Sequence, residues 1–437
     1  MKRLTKISIA GSLVIFTFFI IFYLRYPSFS LILEQSSVSK IYYADNISSA
    51  HRALINKFNL EYEGKIEIIP VDLPFTKFST NERKELLARS LRSNSENLDL
   101  FAVDYIWVPR FAKWVEPLDK HISKLTRDGI IKKAIESCIY DEKLVAIPLY
   151  IDVGLMYYRS DLLKNQENYS LIKKQLESSL SWRDFINLCK TFKQKDNYFY
   201  LYAADNYEGL VCSFIELVVN QKSDFFVTDS LNFNTKEGKI ALELLVDLVN
   251  KYKITPKEVV GFDEFQCFTY ALDNDVPFIR GWPGQLKHYK NLVKDTTKLK
   301  YFDIAALPHL EGNNIGSVLG GWNLMIPANS AKKSETMQFI NFLLKEENQK
   351  ILANVGGYIP VVEKVYHDKE FIKQNKEYLY YQNLLDKGIH RPFLEDYTKI
   401  SDIISYYVNQ AIKKKISVKE ALIQATNQVN SNRVLIK

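Results

Sequence analysis

The sequence has little of what announces catalysis or metal binding. Its 437 residues include four cysteines, Cys138, Cys189, Cys212 and Cys267, widely spaced and without a C-x-x-C pair. No histidine stands beside them at metal-ligand spacing, so a structural zinc site gains no support and they read as buried thiols. The six histidines, His51, His121, His288, His309, His367 and His390, are scattered along the chain, which withholds sequence support from histidine general-base chemistry. The patterns G-x-S-x-G, H-E-x-x-H, G-x-x-x-x-G-K-S/T and G-x-G-x-x-G are all absent. Charge of one sign is not concentrated either. The 58 basic and 51 acidic residues are spread out, net +7, and no basic block is interleaved with aromatics, so nucleic acid is not an expected partner. There is no internal repeat and no low-complexity linker.

What is present begins at the N-terminus. Lys2, Arg3 and Lys6 precede an uncharged run from Ile7 to Leu24. At 1.5 Å per residue that run is just long enough to span a bilayer, and the basic flank orients the remainder outside. Residues 1–30 are therefore expected to be a signal anchor or a signal peptide. Ser28–Ser30 offers a weak cleavage site. No cysteine precedes Cys138, which excludes a lipoprotein anchor, and the expected form is an uncleaved helix.

Past that run the pattern alternates. "SKIYYAD", "KIEIIPVDL" and "LDLFAVD" read as strands separated by two amphipathic helices. In the first helix Leu54, Ile55 and Phe58 share a face, Ser48 or Ser49 can cap it, and Gly64 ends it. This β-α-β-α-β order implies a parallel sheet with covering helices, and ligands of such sheets sit at the strand ends. Helices around "SWRDFINLCKTFKQ", "LVCSFIELVVNQ" and "EGKIALELLVDLVNKY" follow, then the strands "VPFIRGW" and "YFDIAALP" and a helical C-terminal third. A chain of this length, with 47% apolar residues, needs more than one core. Two α/β lobes with alternating segments are expected.

Aromatic residues are abundant, with 27 Tyr, 26 Phe and 5 Trp, and several stand beside a hydrogen-bonding group. "PLYIDVG" holds Tyr150 and Asp152, "VDYIW" Asp104 and Trp107, "RGWP" Arg280 and Trp282, "GGW" Trp322, and "HRPFLEDY" Arg391. Tyr150 and Asp152, two apart on a strand, face one side. A ring beside a carboxylate or guanidinium suits a sugar, whose C–H face packs on aromatics and whose hydroxyls seek charged partners. Trp107 reads first as packing.

Seven phrases in order, "LDLFAVDYIWVPRFAKWVEPLD", "KLVAIPLYIDVGLMYYRSDLL", "NYEGLVCSFIE", "GWP", "LGGWNLMIPANS", "GGYIPV" and "RPFLEDYTKIS", resemble the extracellular solute-binding proteins of bacterial ABC sugar importers, in the maltose/trehalose-binding branch. The resemblance runs from about Ile41 to the C-terminus. It implies a two-lobed periplasmic-binding-protein fold with a multi-strand hinge, behind the N-terminal helix. The expected lobes are 37–149 with 284–327, and 150–283 with 328–437. It implies Asp104, Tyr150, Asp152, Trp282, Gly320, Gly321, Trp322 and Arg391 as ligand-binding residues. Trp282 and Trp322 would be stacking platforms, the glycines would give backbone contact, and Arg391 would bond hydroxyls. Asn46, Ser48 and Trp107 are secondary candidates, although no acid stands between Asn46 and Ser49. The implied function is a monomeric, non-enzymatic receptor outside the cytoplasmic membrane. It would deliver a disaccharide or glycosyl-polyol of the trehalose, maltose, sucrose or glucosylglycerol class to ABC permease subunits, without cofactor or metal. The competing readings are a membrane-anchored glycoside hydrolase or transferase and a sugar-sensor lobe.

Overall fold

Three parallel strands organise the first half of the computed structural model. It describes residues 38–431 apart from 75–76, 79, 94–97, 165, 193–197, 228–230, 291, 294 and 311–315. The expected helix at Ile7–Leu24 and the cleavage site at Ser28–Ser30 lie outside the described residues. Among the described ones no helix is long and apolar enough to cross a membrane.

Strand β1 (Ser39–Asp45) pairs in parallel with β2 (Ile66–Asp72) and β3 (Leu100–Asp104). Helices α1 (Ser49–Glu61) and α2 (Thr80–Arg92) make the crossovers. α1 buries Leu54, Ile55 and Phe58, the face expected from spacing, and Ser48 caps it in a reciprocal box with His51. A short hairpin, β4 (Ile139–Tyr140) and β5 (Lys143–Leu144), leads into β6 (Ile147–Val153). The chain then changes sheets. Only Gly154 separates β6 from β7 (Leu155–Arg159), which lies in a second sheet with β8 (Tyr200–Leu201), β9 (Phe278–Gly281) and β10 (Phe302–Ala305). The last strand, β11 (Leu319–Met325), returns between β3 and β6. The sheet orders are 2-1-3-11-6 and 10-7-9-8.

Further helices clothe the two sheets: α3 (Glu208–Gln221), α4 (Lys236–Asn250), α5 (Glu264–Asn274), α6 (Gln285–Tyr289), α7 (Lys333–Leu343), α8 (Glu346–Ile351), α9 (Tyr397–Ile412) and α10 (Val418–Val429). Two parts of the expected lobe division are corrected by the packing. β10, assigned from sequence to the first lobe within 284–327, pairs antiparallel with β7 of the second sheet. Its Phe302 packs on Phe268 of α5 and on Tyr157, an apolar patch that the first sheet does not offer. Conversely α7 and α8, assigned to the second lobe within 328–437, pack on α1 and β1, with Phe339 edge-on to Phe58 and Tyr43. α9 and α10, against α3 and α4, follow the expected division.

Three segments cross between the sheets side by side. Gly154 N donates to Val318 O at 3.0 Å, and Ser317 Oγ donates to Gly154 O at 2.6 Å. Ile389 N donates to Ser317 O at 3.0 Å and Leu319 N to Ile389 O at 2.9 Å. The crossings are thus 153–155, 316–319 and 388–391, tied by backbone bonds.

The double glycine at the end of the middle crossing is required by space. Gly321 has φ +131, and a Cβ there would lie 2.5 Å from Tyr150 O and 2.9 Å from Ile151 Cα. A side chain would meet both strain and backbone. Gly321→Ala is expected to lower stability by about 2 kcal/mol or more in urea denaturation. Gly261→Ala, where nothing lies within 4 Å of a new Cβ, is expected to change it by under about 1 kcal/mol.

Candidate functional site

The ladder assembles the candidate site. Trp322 of β11 stands opposite Asp104 of β3 and Tyr150 of β6, and Gly320 stands opposite Asp152. Directly opposed residues share a face, and so do residues two apart. Asp104, Trp322, Tyr150 and Asp152 therefore belong to one face at the junction of the sheets. Trp282, just past β9 of the second sheet, comes over Gly320. A Cβ on Gly320 would lie 3.0 Å from the Trp282 ring and 3.4 Å from the Asp152 Cβ. Glycine here makes room for a ring arriving from the other sheet.

The Trp282 ring is held from several sides. The Arg280 guanidinium lies 4.0 Å from its centroid, and Nε1 donates to Glu264 Oε1 at 3.4 Å. Its backbone nitrogen donates to Gln285 Oε1 at 3.2 Å, and its carbonyl accepts from Tyr157 OH at 2.7 Å. Glu264 in turn accepts from Tyr207 OH.

The two acids differ in their partners. Asp104 Oδ1 accepts from Arg391 Nη2 at 3.0 Å and from Ile106 N at 3.2 Å. Burial raises the Asp104 pKa, the Arg391 charge opposes the rise, and Glu208 adds to it. Asp152 Oδ1 is buried and makes no hydrogen bond among the described residues. Burial first, and the charge of Asp104 second, push the Asp152 carboxyl up to about 8. Near neutrality it can both donate to and accept from a hydroxyl.

Arg391 is 2% exposed and spends its terminal nitrogens on protein carboxylates. Nη2 meets Asp104, and Nη1 meets Glu208, which also accepts from Tyr397 OH at 2.7 Å and from Ser401 Oγ. Its backbone nitrogen donates to Tyr105 OH at 3.1 Å. Here Arg391 is a bridge between β3 and α3. Trp322 is 8% exposed, with the Arg83 guanidinium 4.3 Å from its ring and Trp107 edge-on at 6.4 Å. Both tryptophans are part of the packed core.

Of the secondary candidates, Ser48 is committed to the α1 cap and to His51 Nδ1 at 2.7 Å, and Asn46 is half-buried behind Asp45. The nearest acid is Asp45, the last residue of β1. It accepts from Tyr43 OH at 2.6 Å and Arg83 Nη2 at 3.2 Å. Sequence reasoning passed over Tyr358, whose ring stacks on Tyr150 at 4.2 Å, and Glu208, Glu216 and Glu264. "GGYIPV" and "NYEGLVCSFIE" were legible as phrases, yet nothing in them separated these residues from packing.

The Asp152 carboxyl gives a pH signature. The folded protein holds this proton more tightly than the unfolded chain does. Its contribution is therefore fully present below about pH 4 and is lost as pH climbs to about 8. Asp152→Asn is neutral at every pH. In urea denaturation across that range, the variant is expected to gain on the wild type as pH rises. A constant difference would remove the raised pKa.

Comparison with known proteins agrees with this architecture. A family model described as bacterial extracellular solute-binding protein matches residues 53–378. A probable ABC transporter-binding protein of Deinococcus radiodurans is 24% identical over 355 residues, 78% of this chain and 82% of the relative. The arabinooligosaccharide-binding protein of Bacillus subtilis is 22% identical over 407 residues, 86% and 88% of the two chains. Among solved structures, maltose-bound MalE3 of T. maritima superimposes with a TM-score of 0.79 at 23% identity, covering 90% of this chain and 99% of that one. The family match spans well over half the sequence, and the chain belongs to the bacterial extracellular solute-binding proteins.

Proposed function

We propose that this protein is the sugar-capturing receptor of an ABC importer, acting as a monomer and taking a disaccharide or glycosyl-polyol between its two lobes. The observation that carries the reading is the juxtaposition of Asp152 with the Trp282 ring over Gly320, at the junction of the sheets. A carboxyl oxygen without a partner among the described residues, beside an indole, matches a hydroxyl rim beside a C–H face. Tyr150 and Tyr358, stacked on each other, extend the aromatic wall. Relatives named for arabinooligosaccharide and maltose support the ligand class. In this reading Asp152 grips hydroxyls, Trp282 is the platform, and Arg391 with Asp104 sets the shape of the floor. Permease subunits are the partners that receive the sugar. The uncharged run Ile7–Leu24 tethers the receptor to the membrane, which raises its concentration near them.

Thermal-shift and calorimetric screening against maltose, trehalose, sucrose, glucosylglycerol and an arabinooligosaccharide tests the ligand. A sugar present at about a hundred times its Kd is expected to add roughly 2.7 kcal/mol of stability. It is also expected to be recovered uncleaved, whereas release of smaller sugars favours a glycoside hydrolase built on Asp104 and Asp152. A panel without any stabilising member removes the sugar reading. For the tether, the native protein is expected to sediment with membranes, resist high salt and yield to detergent. N-terminal sequencing that begins near Leu31 overturns the tether alone.

A further inference from the structure

Helix α3 is almost wholly buried, yet it carries acidic and amide groups on one ridge. Glu208, Cys212, Glu216 and Asn220 recur every four residues among apolar neighbours, so they line up along one side. Three of the four reach a different crossing segment. Glu208 accepts from Arg391 of the 388–391 crossing. Asn220 Nδ2 donates to Gly316 O of the 316–319 crossing at 2.5 Å. Glu216 accepts from Arg280 Nη2 at 2.7 Å directly under the 153–155 crossing. A Cβ on Gly154 would lie 2.2 Å from Glu216 Oε1 and 2.9 Å from Arg280 Nη2.

The Glu216–Arg280 pair lies against the candidate platform. Arg280 is 1% exposed, and its guanidinium covers one face of the Trp282 ring. A planar guanidinium stacks where an ammonium would only point. Left without Glu216, it would be a buried cation lacking its carboxylate partner, and would move to find another. A cavity of about 20 Å³ lined in part by Ser213, Glu216, Asn220 and Gly316 borders the ridge.

We propose that Glu216 is a positioning residue for ligand stacking. It fixes Arg280 beneath Trp282, and the ridge it belongs to ties the attitude of that ring to the three crossings. This rests on the sugar-receptor reading, but its first test does not need a sugar. The chain has five tryptophans. In protein labelled with 5-fluorotryptophan, the Trp282 fluorine resonance is identified by its loss in Trp282→Phe. It is expected to shift or broaden in Glu216→Gln and in Arg280→Lys, and to stay in place in Val218→Ala. Val218 is buried in the same helix, two residues from Glu216 and so on the opposite side, and its truncation reports simple destabilisation. An unmoved resonance in the Glu216 and Arg280 variants, or an equal displacement in Val218→Ala, overturns the proposal. If Glu216→Gln does not fold, Glu216→Asp, which keeps the charge and shortens its reach to Arg280, is read in the same way.

A second measurement uses maltose as the probe. Glu216→Gln is expected to weaken binding by about tenfold, the scale of a lost aromatic or cation–π contact, and to add nothing in a Trp282→Ala background. Additive losses overturn the positioning role. A wild type that binds no sugar of the panel counts against the receptor reading, while the fluorine result still decides the role of Glu216.

Discussion

The arrangement depends on one buried charge. Arg391 sits on the third crossing with Asp104 of the first sheet on one side and Glu208 of α3 on the other. A guanidinium removed from water costs several kcal/mol unless carboxylates meet it in good geometry. Here the two carboxylates come from opposite halves of the molecule. The partners can satisfy Arg391 only when β3 and α3 stand in one relative position. The pair thus contributes register between the sheets more than stability. An apolar substitute could fill the same volume without specifying that position.

The crossings carry the same logic in the backbone. Gly154, Ser317 and Ile389 are linked by hydrogen bonds at the place where the chain changes sheets, so each crossing is anchored to the next. Gly320 and Gly321 then divide two tasks. Gly321 lets β11 lie against β6 with a backbone no other residue adopts easily, and Gly320 opens the surface on which Trp282 rests. The aromatic ring that needs a glycine here is consequently Trp282, arriving from the other sheet over Gly320, rather than the adjacent Trp322. Trp322 is held in the core by Arg83 and Trp107.

That exchange marks how much could be read from the sequence. Local features were legible because they are written in local spacing. These include the first three strands, the α1 face at Leu54, Ile55 and Phe58, the Ser48 cap, and the pairing of Tyr150 with Asp152 on one side of β6. The order of the seven phrases carried the family. The rest depended on contacts across hundreds of residues. Whether Phe302–Ala305 joins the first or the second sheet is decided by Tyr157 and Phe268, not by its own pattern. Trp282 and Trp322 each follow a glycine in sequence, and what separates their roles is what the fold lays over them. The resemblance made Arg391 a hydroxyl donor, and nothing in its own stretch shows which carboxylates it meets. Its partners lie 287 and 183 positions away.

One signal was present and is physically specific. A helix with 13 buried residues out of 14 has no reason to hold Glu208, Glu216 and Asn220 unless each meets a partner, because an unpaired buried carboxylate is far more costly than an apolar replacement. Polar groups spaced by four in an otherwise apolar helix therefore predict a ridge that faces other polar groups. In this fold those groups are the crossing segments. The helix that looks most like plain core is thus the one that touches all three connections between the sheets. Through Arg280 and Arg391 it also stands behind both Trp282 and Asp104. A site built in this way is set from behind: the residues that would face a ligand come from two sheets, and the element that aligns them contributes no exposed surface to it.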